Sequence, residues 1–202
     1  ADKLDKELIF KWINHRVLFR QRWGDKRGKQ DAAKFLKYED EVVEPIYQAL
    51  KEDLVDKDIF DPIVIYAYYP CISWDNKIYI FDKKYLYNSL EEAKNVPPLE
   101  EAIKVLEFPR QKRKPFRCIA DFFANDRLDV IAFTLASSGL KISDYERSLY
   151  DKGEFAKYYQ VHGLGVELAE ALAEVLHKQI RLDLDIVPKE GHTLNDVQMK
   201  QY

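Results

Sequence analysis

The sequence predicts an α+β fold in a single domain spanning residues 1–202, with a central twisted, mainly antiparallel sheet flanked by helices and a long C-terminal helix. Three observations carry this. Val161, Leu164, Leu168, Leu172, Leu176 and Ile180 form one apolar stripe at helical spacing. The runs PIVIYAYY (62–69) and KIYIFD (77–82) are rich in β-branched and aromatic residues. Helical patterns lie before and after the strand candidates instead of alternating strictly with them, which favours α+β over α/β.

In chain order, apolar residues at Leu4, Leu8, Ile9, Trp12, Ile13, Val17, Leu18 and Phe19 predict a helix, a short connection near Asn14, His15 and Arg16, and a second helical or irregular stretch ending at Trp23 and Gly24. The polar loop GDKRGKQ then leads to an amphipathic helix with Val42, Val43, Ile46, Tyr47, Leu50 and Leu54 on one face. Pro45 is expected to kink that helix or to mark the first turn of its second half. PIVIYAYY and KIYIFD, separated by SWDN, read as neighbouring strands, and their near-continuous apolar character fits strands covered on both faces. A short helix is expected from Pro97 to Phe108, stopped by Pro109. Two further strands are expected at RCIADFF (117–123) and DVIAFTLA (129–136), the second ended by SSG. A charged helix and then the long striped one fill the stretch from Ile142 to Arg181; polar residues with Pro188 and Gly191 follow.

With 32 basic and 35 acidic residues the formal net charge is −3, so no long-range field draws the chain onto nucleic acid or an anionic membrane. Charges interrupt every apolar run of the opening ADKLDKELIFKW, which excludes a signal peptide or membrane anchor there. Cys71 and Cys118 match no metal or redox spacing and read as buried free thiols, and a cytoplasmic location is expected.

The chemistry-bearing patterns are sparse. His15, His162, His177 and His192 include no pair three or four apart; at about 100° per residue, His162 and His177 point roughly 60° apart on one helix, so no metal site is expected. Phosphate loop, nucleophile elbow and CxxC are absent from the sequence. Arg110, Lys112, Arg113, Lys114 and Arg117, with Phe108 and Phe116 beside them, read first as a solvated loop, then as contact with an acidic partner or phosphate, and last as a nucleic-acid contact with salt-dependent binding. Glu167, Glu170, Glu174, His177 and Arg181 form a polar stripe that spacing alone assigns to the solvent face. Asn14 by itself reads as a helix cap or interruption.

Several stretches together resemble one family. FKWINHRVLFRQRWG (10–24), KYEDEVVEPIYQAL (37–50), FPRQ (108–111), RCIADFF (117–123) and VHGLGVELAEALAEVLHKQIR (161–181) are similar, in order, to the activation module of cobalamin-dependent methionine synthase. The resemblance implies a module that binds S-adenosylmethionine and supports reductive methylation of cobalamin. The cobalamin would be held mainly by a neighbouring corrinoid-binding module and the electron supplied by a flavodoxin-type donor. It thereby implies part of a methyltransferase, 5-methyltetrahydrofolate–homocysteine methyltransferase, inactive as an isolated piece, in which cofactors carry the hard step and the module positions them. The alternative is a non-enzymatic docking module for a corrinoid-binding protein that has lost ligand binding.

The resemblance carries two ligand-binding positions onto this sequence. The family's aspartate near the first helix falls on Asn14, whose amide hydrogen-bonds but offers no negative charge. The family's glutamate in the long helix falls on Glu170. The family's Arg, small residue, Gly and Tyr segment comes after the tyrosine matched by Tyr202, and Lys200 stands at an often acidic position, so the module is expected to be incomplete at its C-terminal end and to bind S-adenosylmethionine weakly.

Overall fold

The computed structural model describes residues 5–186. The expected connection with Pro188 and Gly191, and the positions His192, Lys200 and Tyr202, lie outside the described residues. The elements in order are α1 (Lys6–Lys11), α2 (His15–Val17) continued by a π-turn (Leu18–Arg22), α3 (Ala32–Tyr38), a second π-turn (Glu39–Val43), α4 (Glu44–Asp56), β1 (Ile63–Trp74), β2 (Lys77–Ile80), α5 (Leu90–Ala93), β3 (Lys104–Glu107), β4 (Asp129–Ser137), α6 (Leu140–Asp151) and α7 (Phe155–Asp183). Short 3₁₀ turns stand at Lys83–Tyr85, Leu99–Glu101 and Ile119–Phe122. The four strands form one sheet in the order β3-β2-β1-β4, and the β1–β2 and β2–β3 pairings are antiparallel. The α+β class, the antiparallel sheet and the long last helix match the sequence reading.

The described residues divide into two compact units, one of residues 5–65 and 134–186 and the other of residues 66–133. The first unit is helical. Asp5 caps α1 by accepting from the Glu7 and Leu8 N–H groups, and Asp31 caps α3 in the same way, each supplying acceptors that a helix start lacks. Pro45 sits in the first turn of α4, which follows the second π-turn with no non-helical residue between them. The break that the sequence hinted at there is a π-turn. Leu164, Leu168 and Leu172 of α7 are fully buried against Leu18, Tyr47 and Leu54 among others, so the stripe read from the sequence is the spine of this core.

The second unit is built on the β1–β2 hairpin, joined by the two-residue turn Asp75-Asn76 with Asp75 at φ 57°. Cys71, Ile78 and Ile80 pack on one face with Cys118 and Ala120; Ile72 packs on the other with Phe81, Ala93 and Leu128. Coverage on both faces therefore holds for this hairpin. It fails at the start of β1, where Ile63, Ile65 and Tyr66 are exposed, Ile65 by 62%. Cys71 and Cys118 are both buried and free, and burial, with Asp129 adding to it, pushes the Cys71 thiol up to about 12.

Two element expectations are corrected. Residues 97–108 form no helix beyond the turn at Leu99–Glu101; Lys104–Glu107 is the edge strand β3, drawn onto β2 by register bonds such as Ile103 N–H to the Ile80 carbonyl at 2.8 Å. Pairing to an open strand edge overrides a local helical pattern this short. RCIADFF is not a strand: Asp121 accepts the Cys118 N–H at 2.8 Å and grips Arg110 with both oxygens at 2.7 Å, folding Ile119–Phe122 into a 3₁₀ turn. Arg110, so held, also reaches Asn76 and the Phe116 carbonyl, while the neighbouring Lys112, Arg113, Lys114 and Arg117 stand exposed in a loop as expected.

Candidate functional site

Asn14 and Glu170, 156 positions apart in sequence, line the same cleft of the helical unit. Its wall also includes Trp12, Val17, Arg22, Glu167, Ala171 and Glu174, around a volume of ≈ 290 Å³, at the lower edge of the roughly 300–1,000 Å³ common for small-molecule sites. One wall is α7: Glu167, Glu170, Ala171 and Glu174 recur at three- and four-residue spacing and so share a face. The other wall is the segment from the C-cap of α1 to the end of the first π-turn. Asn14 is the N-cap of α2, its Oδ1 accepting from the Val17 N–H at 3.2 Å. The capping role read from sequence and the place in the cleft belong to the same residue.

The π-turn sets where Arg22 stands. The Trp23 N–H bonds to the Leu18 carbonyl at 2.8 Å, five residues back, so one more residue fits in the turn than an α-helix allows. Trp23 stacks on Phe19, and its Nε1–H donates to the Gln160 carbonyl on α7 at 2.9 Å. This close approach needs Gly163: a Cβ there would meet Trp23 Cδ1 at 2.9 Å and Arg22 Cβ at 3.1 Å. Gly163→Ala is expected to lose about 1–3 kcal/mol to overpacking against about 1 kcal/mol gained in helix propensity. Chemical denaturation reads the net sign, and a clear net gain in stability would contradict the tight contact.

The stripe that spacing assigned to solvent is therefore split. Glu170 is exposed at the rim, but Glu167 is 4% exposed, packed beside Arg22. Burial raises the Glu167 carboxyl above its ordinary value; the Arg22 guanidinium and a backbone N–H bond from Asn14 act in the opposite direction. Arg22 Nε stands 3.7 Å from Glu167 Oε2, close enough for charge attraction and too far for a hydrogen bond. An unpaired buried polar group costs about 1–3 kcal/mol. Three carboxylates against one guanidinium make the cleft a place for a cation, and the Trp12 ring already carries Lys178 Nζ at 5.4 Å from its centroid.

Sequence reasoning named Asn14 and Glu170 and missed Trp12, Arg22 and the burial of Glu167. The three-and-four spacing of the glutamates was visible; that a partner segment from the other end of the chain lies over Glu167 was not. The second unit has an open hollow of ≈ 590 Å³ near Ser73, Trp74 and Asp121, but its Asp121 is committed to Arg110, which holds that carboxyl down at about 2. Among the described residues no group of three or more His, Cys, Asp or Glu side chains is arranged to hold a metal ion, and no helix is long and apolar enough to cross a membrane.

By architecture the chain is an α+β module on an antiparallel sheet, carrying an acid-lined cleft in its helical part. Residues 10–202 match the family described as "Vitamin B12 dependent methionine synthase, activation domain". The chain belongs to that family. It is 32% identical over 203 residues to the methionine synthase of Mycobacterium tuberculosis (strain ATCC 25618 / H37Rv), covering 94% of this chain and 16% of that protein. It is 38% identical over 128 residues to the methionine synthase of Mycobacterium leprae (strain TN), covering 60% of this chain and 10% of that protein. This chain thus spans a small part of these relatives. In fold it is similar to a structure described as "Crystal Structure of the MetH Reactivation Domain bound to AdoHcy", at TM-score 0.71 and 20% identity, over 98% of this chain and 59% of that one.

Proposed function

We propose that this chain is the S-adenosylmethionine-binding module, acting over residues 1–202, that supports reductive methylation of cobalamin in a cobalamin-dependent methionine synthase. The cobalamin is held mainly by a neighbouring corrinoid-binding module and a flavodoxin-type protein donates the electron. The observation that carries this reading is the meeting of Asn14 and Glu170 in one cleft with Glu167 and Glu174, a set of acceptors and negative charges that suits a ligand bearing an ammonium and a sulfonium. Family membership supports it, as does the likeness of fold to a domain solved with a nucleoside of this class.

When bound, S-adenosylmethionine supplies an activated methyl group on sulfur and the corrinoid supplies the metal centre that receives it. The part of this chain is to bind and orient. Glu170, at the rim, faces the cationic end; Asn14, locked as a helix cap, presents a fixed amide; Trp12 gives one wall an aromatic surface. No side chain of the cleft has to gain or lose a proton, since the leaving group departs neutral. A rigid frame is enough, because positioning alone lowers the barrier of a bimolecular step. The buried free thiols Cys71 and Cys118 support a reducing compartment, the cytoplasm.

Calorimetry with S-adenosylmethionine tests the assignment. Glu170→Ala is expected to weaken binding about tenfold to a hundredfold, the worth of one charge-assisted hydrogen bond, with an unchanged melting curve because Glu170 is exposed. An unaltered affinity would remove Glu170 from the site. If the unmodified protein binds no S-adenosylmethionine, the docking-only reading takes the place of this one.

A further inference from the structure

The Glu167 carboxylate is 4% exposed, yet its Oε2 accepts no hydrogen bond. The cation set against it, Arg22, stops at 3.7 Å, and its Nε is likewise buried without an acceptor. Charge is matched here and hydrogen bonding is not. The same unit shows what a closed pair looks like: Arg20 donates to both oxygens of buried Glu39 at 2.7 and 2.6 Å. Arg20 and Arg22 sit in the same π-turn, so the gap at Glu167 belongs to its surroundings and not to arginine pairing in general. Glu167 lines the cleft together with exposed Glu170 and Asn14.

We propose, resting on the reading that this cleft takes S-adenosylmethionine, that Glu167 is a second carboxylate, alongside Glu170, that accepts from the ligand's ammonium, and that Arg22 is its exchangeable stand-in. Arg22 balances the charge of Glu167 until the ligand arrives, then withdraws. Its side chain is 36% exposed against 6% for that of Glu167, so water can solvate the departing guanidinium but not the carboxylate it leaves. An ammonium brings three N–H donors on one small group and supplies the hydrogen bond that Arg22 does not make. Binding becomes the replacement of one cation by another, and a neutral nucleoside gains nothing from it.

Three ligand titrations on the full chain test this, with melting curves as folding controls. Glu167→Gln keeps size and shape; it is expected to weaken S-adenosylmethionine about tenfold or more while leaving neutral 5′-methylthioadenosine at its original affinity. Arg22→Gln, with the competing cation gone, is expected to bind S-adenosylmethionine more tightly than the unmodified chain. Glu167→Gln binding S-adenosylmethionine as before, or losing both ligands equally, overturns the proposal and leaves the S-adenosylmethionine reading standing. Weaker binding by folded Arg22→Gln overturns the exchange. If the unmodified chain binds no S-adenosylmethionine, that reading fails, and methylammonium decides the role of Glu167: a saturable shift of its side-chain carboxyl carbon resonance supports the cation site, and no shift overturns it.

Discussion

Replacing Asp53 by Ala is expected to lower the unfolding free energy by about 2–3 kcal/mol at neutral pH, the range for hydrogen bonds to a charged group. Asp53 on α4 accepts from Tyr145 Oη on α6 at 2.7 Å and from Lys157 Nζ on α7 at 2.9 Å, and pairs with Lys57, the C-cap of its own helix. Its side chain is 19% exposed, so these bonds are only partly replaced by water when they break. Burial by itself would raise the Asp53 carboxyl; the bonds from Lys57, Lys157 and Tyr145 more than reverse this and hold it far below the ordinary carboxylate range. A depressed folded-state value means stability that is present above the unfolded value and lost as pH falls through it towards the folded one. The gap between the unmodified protein and Asp53→Ala should therefore narrow by about 1 kcal/mol from pH 5 to pH 3. Urea titrations at the two values measure it. A gap that stays constant would mean that Asp53 contributes packing and not charge.

Gly139→Ala should cost more, about 3–5 kcal/mol, from backbone strain and collision together. Gly139 precedes α6 with φ 101° and ψ 158°, a conformation open essentially to glycine alone. A Cβ there would lie 2.2 Å from the Asp61 carbonyl oxygen, and backbone on both sides leaves nothing flexible to give way. Gly153, at φ 76°, has nothing within 4 Å of its own would-be Cβ, so Gly153→Ala isolates the conformational part at about 1–2 kcal/mol. Equal losses at both glycines in thermal or urea unfolding would sink the argument from close approach.

How far the sequence could be read followed the range of the forces involved. The α7 stripe from Val161 to Ile180 was legible because helix period and burial coincide over many residues. The β1–β2 hairpin was legible because two apolar runs flank the polar SWDN, of which only Asp75-Asn76 is turn and Ser73 and Trp74 continue β1. β3 was not, since four largely exposed residues become a strand only through the open edge of β2. The turn at Ile119–Phe122 was hidden for a similar reason: RCIADFF has strand-like composition, and its shape is decided by Asp121 reaching Arg110 eleven positions away. In the cleft, Asn14 and Glu170 were reached through family resemblance, and no spacing rule would have selected them. Glu167 was misread as solvent-facing because the segment that buries it lies 145 positions earlier.

The π-turn at Leu18–Arg22 makes the cleft a property of chain length as much as of side-chain chemistry. With the i−5 bond of Trp23, one residue more than an α-helical turn holds is looped into the turn. Every substitution keeps the count, so a scan that exchanges residues one by one is blind to this feature. It is written instead in the spacing between Leu18 and Trp23, which only an insertion or a deletion can edit.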